Sequence, residues 1–140
     1  MQILITAICS LTAAIIGAFV VHWLTRSREN ANWVRDSRIR EWQELLETLS
    51  KSYVTQLMDP HAYDDESKKQ YNVSKAVALA DVDVMLSTRI FISEDVEQLD
   101  VRMRWAGSVN AFYQRRDKPP FMAAYQALHK DIVAKAKQTR

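Results

Sequence analysis

Residues 39–57 read IREWQELLETLSKSYVTQL, and the spacing of apolar side chains in this stretch decides the fold class. Steps of three or four residues separate the apolar positions, which is the period of an α-helix. Glutamate and lysine side chains fill the opposite side. The pattern predicts an amphipathic helix over about residues 30–58. Its predicted core stripe consists of Trp33, Ile39, Trp42, Leu46, Leu49, Tyr53 and Leu57.

The composition extends the helical prediction to the whole chain. The 140 residues include 2 Gly and 3 Pro, whereas average usage predicts about 17 of the two together. Hairpins and tight turns need these residues, so a sandwich, a barrel or a multistranded sheet is disfavoured. No two glycines lie close enough to form a phosphate-binding loop. The sequence therefore predicts an all-α protein.

Three further helices are predicted at about residues 67–91, 94–116 and 120–138. Pro60 ends the first helix, and Ser67 with Gln70 forms a capping-box pattern that begins the second. Ser93 begins the third, and the Pro119–Pro120 pair ends it. The predicted core stripes are Val73, Val77, Ala80, Val84 and Phe91, widened by Leu79, Leu86 and Ile90; then Val96, Leu99, Met103, Ala106, Val109 and Tyr113; and finally Phe121, Tyr125, Leu128, Ile132 and Ala136.

Four amphipathic helices with short connections predict an antiparallel bundle over residues 26–140. This topology places the acidic loop at residues 59–66 and the basic loop at residues 114–120 at the same end. Gly107 is expected to allow a close helix crossing.

Two carboxylates in the second helix leave an alternative open. Asp81 and Asp83 lie in its most apolar part. A buried carboxylate there needs Arg102 or Arg104 as a partner, whereas a boundary position leaves it in solvent.

A separate class of residues precedes this bundle. Residues 3–24 read ILITAICSLTAAIIGAFVVHWL and contain no charged side chain. A helix of this length spans roughly 33 Å, enough for a hydrocarbon core of about 30 Å. We expect residues 1–25 to be a transmembrane anchor. A cleaved signal peptide and a buried soluble helix are the rival interpretations. The apolar core is too long for a signal peptide and lacks a cleavage motif. The expected membrane-interface residues are His22, Trp23, Arg26 and Arg28.

Positive charge predicts the orientation of this anchor. Five arginines follow the span within about 16 residues, which places the N-terminus outside and residues 26–140 in the cytoplasm at the cell (inner) membrane. Whether the span continues into the first bundle helix, or Asn30 or Asn32 caps a new helix, stays open. Small residues recur at helical spacing and predict a self-association face. These residues are Ser10, Ala13, Ala14, Gly17 and Ala18.

No set of residues in the sequence predicts catalysis, a metal site or a cofactor site. Cys9, the lone cysteine, lies in the span and pairs with no histidine. His61 with Asp59, Asp64 and Asp65 lacks EF-hand spacing and indicates a solvated acidic loop. The 19 basic and 17 acidic residues balance too evenly for a nucleic-acid partner. The candidate contacts for a partner or a phosphate are Arg102, Arg104, Arg115 and Arg116.

The sequence therefore predicts a membrane-anchored, non-catalytic helical interaction module, acting as a subunit, scaffold or regulator of a membrane-associated assembly. Its expected partners are the lipid bilayer and either another protein or a second copy of the chain. The alternative is a sensor or carrier that holds a small molecule or lipid in a pocket of the bundle.

Overall fold

A computed structural model describes the backbone of residues 2–58 and 65–138 and the side chains of residues 20–58 and 66–138. Over these residues the chain forms helices and no strand, which confirms the predicted all-α class. Contacts divide the chain into two units, residues 1–36 and residues 37–140. The helices are α1 (Gln2–Leu57), α2 (Asp65–Thr88), α3 (Ser93–Gln98), α4 (Val101–Arg115) and α5 (Lys118–Gln138).

The first unit consists of residues of α1. This helix continues through Asn30 and Asn32, so neither residue caps a new helix. Every described side chain of this unit is exposed. Trp33, predicted to begin the core stripe, is 62% exposed, and that part of the prediction is wrong.

The predicted transmembrane span falls largely outside the residues whose side chains are described. Over the described residues, none of the helices combines the length and the apolar character that a bilayer crossing requires. The structure therefore gives the span at residues 3–24 no support. The small-residue face within it also lies outside the described side chains.

The second unit packs one face of each of its longer helices around a single core. Trp42 and Trp105 are buried, as predicted. The predicted stripe of α5 is also confirmed, because its members are buried or half-buried. Aromatic rings join the helices: Tyr53 stacks on Tyr125 with ring centroids 3.9 Å apart. The buried apolar residues are Trp42, Leu45, Leu49, Val82, Leu86, Ile92, Val96, Val101, Trp105, Val109, Phe112, Phe121, Leu128 and Ile132.

Contacts at both ends of the second unit show the direction of its helices: α1 and α4 run the same way, and α5 runs opposite to them. At one end, the Tyr113 hydroxyl near the end of α4 donates to Gln56 Oε1 near the end of α1. At the other end, Asp95 of α3 contacts Arg38 of α1 and Lys135 of α5. The ends of α1 and α4 are thus neighbours, as predicted for the two loops that follow them. The charges at residues 59–64 lie outside the described residues.

The predicted third helix is two helices, which corrects its boundaries and its core stripe. Asp100 separates α3 from α4 in the left-handed region, at φ 51°, a conformation that a short polar side chain tolerates better than most. Because α4 begins anew there, its buried residues are Val101, Trp105, Val109 and Phe112. Met103 and Ala106, two members of the predicted stripe, are exposed.

The boundary between α4 and α5 also differs from the prediction. Arg116 ends α4 in the left-handed region, at φ 56°, and its N–H donates to the Phe112 carbonyl. Helix α5 begins at Lys118, so Pro119 and Pro120 lie in its first turn. Proline fits there because the first N–H groups of a helix have no partner within the helix.

Asp95 joins three helices through one buried carboxylate. Its Oδ2 lies 2.5 Å from Arg38 Nη2, and its Oδ1 lies 3.3 Å from Lys135 Nζ. Asp81 and Asp83 are exposed, so the alternative of a buried carboxylate on α2 is wrong. Asp83 forms a solvent-exposed pair with Arg102.

We expect Asp95→Ala to lower the free energy of unfolding by about 2–3 kcal/mol, because the substitution leaves the cationic partners without their carboxylate. Urea denaturation of the full chain measures this loss. The matched control is Asp83→Ala, which removes an exposed pair and should cost under about 1 kcal/mol. Equal losses of stability for the two variants would contradict a stabilising role for the buried ion pairs of Asp95.

The expected close crossing at Gly107 is wrong. A Cβ atom added to Gly107 meets nothing within 4 Å among the described residues. The residue is exposed and lies in the middle of α4. It therefore carries the entropic cost of a helical glycine without a packing benefit.

We expect Gly107→Ala to stabilise the chain by about 0.5–1 kcal/mol, since alanine loses less backbone entropy in a helix. The midpoint of urea denaturation should rise. Ala106→Gly, at the exposed neighbouring position, should lower that midpoint by a similar amount. A destabilised Gly107→Ala variant would mean that the site is crowded.

Candidate interaction surface

Helix α2 is apolar on two opposite sides. Leu79, Val82 and Leu86 face the core. The stripe predicted to be buried lies on the other side, with Val73, Val77 and Val84 respectively 62%, 52% and 61% exposed. Ala80 is exposed as well. The core prediction is therefore wrong for these four residues and for Ile90, which is 77% exposed, but it is confirmed for Leu79 and Leu86. We name the set Val73, Val77, Ala80 and Val84 the outer valine face.

Polar contacts fix the N-terminal half of α2 in this rotation. Lys75 is 6% exposed, and its ammonium lies 4.7 Å from the Tyr71 ring centroid and 5.7 Å from that of Tyr113. Such cation–π contacts strengthen as the cation loses water. Gln56 Nε2 donates to the Lys75 carbonyl oxygen over 3.1 Å. A lysine therefore occupies the core side of α2, where sequence periodicity favoured the valines.

Tyr113 is half-buried where it meets Lys75 and Gln56. Burial raises the pKa of the Tyr113 hydroxyl, and the nearby Arg116 guanidinium opposes that rise. The hydroxyl remains a donor to Gln56 Oε1 across the neutral pH range.

The C-terminal end of α2 is fixed by two glutamates of α1. The Glu44 carboxylate accepts from Arg89 Nη1. Glu41 Oε2 accepts from the backbone N–H groups of Phe91, at 2.9 Å, and Ile92, at 3.1 Å. Phe91 and Ile92 lie between α2 and α3, so their N–H groups have no partner within a helix. The glutamates therefore hold the junction between α2 and α3 against α1.

The outer valine face is costly to leave in water. Full burial of a valine is worth about 1.5–3 kcal/mol, and β-branched side chains also have low helix propensity. Neither burial within the second unit nor helix formation therefore explains valine at these positions. A contiguous exposed apolar stripe of this kind is a candidate site of interaction.

A groove lies on each side of α2, and Val84 of the outer valine face lines one of them. A groove of about 320 Å³ between α1 and α2 is lined by Val84 together with Asp81 and Ser52. On the other side, a groove of about 270 Å³ between α2 and α4 is lined mainly by apolar side chains, among them Leu79 and Trp105. Both are open at the surface, because exposed residues form part of each lining.

The structure separates the four arginines predicted to contact a partner or a phosphate. Arg102 Nη2 donates to Ser87 Oγ of α2 over 2.6 Å, whereas Arg104 Nη2 donates to Asp131 of α5 over 2.7 Å. Arg115 and Arg116 are exposed at the end of α4, and Arg116 lies 5.9 Å from the Tyr113 ring centroid. Arg102 and Arg104 thus serve contacts with different neighbouring helices.

The other predicted site residues lie outside the second unit or outside the described residues. The predicted interface residues are all exposed on α1; they are His22, Trp23, Arg26 and Arg28. Over the described residues, no three His, Cys, Asp or Glu side chains come together as a metal ion would require. His61, Asp59 and Asp64 fall within the undescribed residues 59–64, and the side chain of Asp65 is likewise outside the described residues.

Comparison with known proteins gives no match to a family model, a curated protein or a solved structure. Among the exposed apolar side chains of the second unit, those of the outer valine face form a stripe along one helix that folding of the unit leaves unexplained.

The two apolar sides of α2 predict opposite responses to truncation. Val82 is 1% exposed, so Val82→Ala should lower the free energy of unfolding by about 2 kcal/mol. Val77→Ala should leave it within about 0.5 kcal/mol, since alanine is also the better helix former. Chemical denaturation of both variants checks this prediction. The reverse order of losses would show that the valine stripe is the core side.

Proposed function

We propose that this protein is a membrane-anchored, non-catalytic helical interaction module, acting as a subunit, scaffold or regulator of a membrane-associated assembly. The single observation that carries the proposal is the outer valine face. Folding positions this face with polar contacts at both ends of α2 and leaves it in solvent. A partner that covers it recovers the apolar burial that the second unit forgoes.

The proposed anchor rests on the sequence of residues 3–24. These 22 residues contain no charged side chain, and a helix of that length reaches across a hydrocarbon core of about 30 Å. Arginines at positions 26, 28, 35, 38 and 40 follow. By the positive-inside rule, residues 26–140 then lie in the cytoplasm at the cell (inner) membrane, with the N-terminus outside.

Open grooves favour the interaction module over the alternative of a small-molecule or lipid carrier. Ligand sites that bury most of a small molecule are concave and largely enclosed. The grooves beside α2 are instead lined in part by exposed residues such as Asp81 and Arg102. Open grooves beside an exposed apolar stripe suit contact with a macromolecule better than the enclosure of a small ligand.

Two measurements on the full chain test this proposal. The chain should stay with membranes through alkaline carbonate extraction, and alkaline phosphatase fused after Arg140 should be inactive because the C-terminus lies in the cytoplasm. In mild detergent, the wild type should migrate as an assembly larger than one chain. Val77→Asp should shift it toward the monomer, because a charge on the outer valine face opposes burial.

The matched control is Ala127→Asp, which introduces the same charge at an exposed position of α5, away from α2 and its grooves. It should keep the assembly intact. A chain released by carbonate, or an active phosphatase fusion, would overturn the proposed anchor and its orientation. A wild type that is monomeric in detergent and in native membranes would overturn the interaction module.

A further inference from the structure

We propose that α1, within the first unit, packs side by side and in parallel with the same helix of a second copy of this chain. The contact is formed by one stripe of side chains, which we name the α1 seam: Val20, Leu24, Ser27, Ala31 and Val34. The inference rests on the proposed function, because an anchor shared by both copies sets the parallel direction. It adds a partner at a surface separate from the outer valine face.

The first unit is a helix whose described side chains are all in solvent. From residue 20 to residue 36 every side chain is exposed, yet α1 is helical throughout this stretch. Helices in proteins gain most of their stability by packing one face against a neighbour. The described residues of this chain supply no buried face here, so a second molecule is the source of that packing.

The α1 seam has the spacing of two helices packed side by side. Its members are four, three, four and three residues apart, which is the 3.5-residue repeat of such pairs. The charged residues of the same stretch all lie off the seam; they are Arg26, Arg28, Glu29, Arg35 and Asp36. The next position of the repeat is Arg38, which the second unit uses in its ion pair with Asp95. The uncharged repeat therefore ends at the boundary of the first unit.

The same repeat continues toward the N-terminus of α1. Counting back from Val20 in steps of three and four gives mostly small residues: Gly17, Ala13, Ser10, Thr6 and Ile3. Three of them belong to the self-association face that the sequence predicts in the span. Small residues at such positions let two helices approach closely in lipid. One repeat thus runs through the proposed anchor and through the described residues that follow it.

The side chains that flank the α1 seam favour the parallel direction. In a parallel pair with this repeat, Arg28 of one copy lies beside Trp23 of the other, where a guanidinium can stack on the indole ring. Arg35 lies beside Asn30 in the same way. Antiparallel pairing would instead set the flanking arginines of the two copies against each other. Arg35 also pairs with Asp36 of its own helix over 3.7 Å, but an exposed pair of this kind is weak.

The proposed anchor supplies both the direction and the concentration. Two copies inserted into one membrane in the same orientation present their α1 helices in parallel. Tethering makes the contact effectively intramolecular, so a seam of small side chains that is weak in dilute solution can pair there. Each copy presents the same five side chains to the other, and the contact is isologous. A second anchored copy therefore fits the α1 seam better than a soluble protein does.

Cysteine crosslinking in isolated membranes tests the α1 seam. In a Cys9→Ala background, Ser27→Cys and Ala31→Cys each place a thiol on the seam, whereas Asn32→Cys places one off it. Oxidation should link Ser27→Cys chains to one another, and Ala31→Cys chains likewise, several-fold more than Asn32→Cys chains. The Asn32→Cys yield measures random collision in the membrane.

A charge on the seam should abolish this crosslink. Adding Ala31→Glu to the Ser27→Cys chain should reduce its yield to the Asn32→Cys level. The matched control is Asn32→Glu, which adds the same charge one residue away and should leave the yield unchanged. Both positions are exposed, so circular dichroism should show that each variant keeps the fold. Val77→Asp should also leave the yield unchanged, because it alters a different surface.

The contrary outcomes are separable. Equal yields at positions 27, 31 and 32 would overturn the seam, and crosslinks mainly between Leu24→Cys and Val34→Cys chains would show antiparallel helices. Loss of the crosslink on Val77→Asp would show that the outer valine face brings the copies together instead. A membrane-bound chain that holds another protein, but crosslinks no more at position 27 than at 32, overturns this inference while the proposed function stands. A chain released from membranes by carbonate overturns the proposed anchor.

Discussion

The rotation of α2 about its own axis is the constraint on which the surface of the second unit depends. Lys75, between the rings of Tyr71 and Tyr113, fixes this rotation at one end. Glu41, which accepts from backbone N–H groups beyond α2, fixes the other. A half-turn of the helix would bury the valines, but it would leave these polar groups without partners, at a cost comparable to the apolar burial gained. The polar contacts and the exposure of the valines therefore both follow from this one rotation of α2.

This constraint explains why periodicity predicted α5 and failed for α2. In α5 the apolar residues occupy one side, so the 3.6-residue period identifies the core face without further information. In α2 they occupy two sides, and the period fits both. The deciding contacts come from Gln56 and Tyr113, which lie 19 and 38 residues from Lys75 along the chain. The burial of Lys75 cannot be predicted from the residues around it, because its partners are distant along the chain and lysine is ordinarily exposed.

The sequence around Asp100 contains none of the residues that usually predict the end of a helix. Neither glycine nor proline stands there, yet Asp100 takes a left-handed conformation. Because one helix ends and another begins at Asp100, Val96 and Val101 both reach the core. In a single helix, residues five positions apart would point in different directions. It also places Asp95 where Arg38 and Lys135 converge. The sequence indicated only that acidic residues suit the first turn of a helix; the ion pairs that bury Asp95 depend on two other helices.

The outer valine face is small for an interaction surface. An exposed face large enough to pair in dilute solution would also promote nonspecific association. Three valines and an alanine stay below that level. Under the proposed function, a partner held at the same membrane would meet this face at a raised effective concentration. Each side chain would then form a large share of a small contact, so single substitutions on the face should have large effects on association.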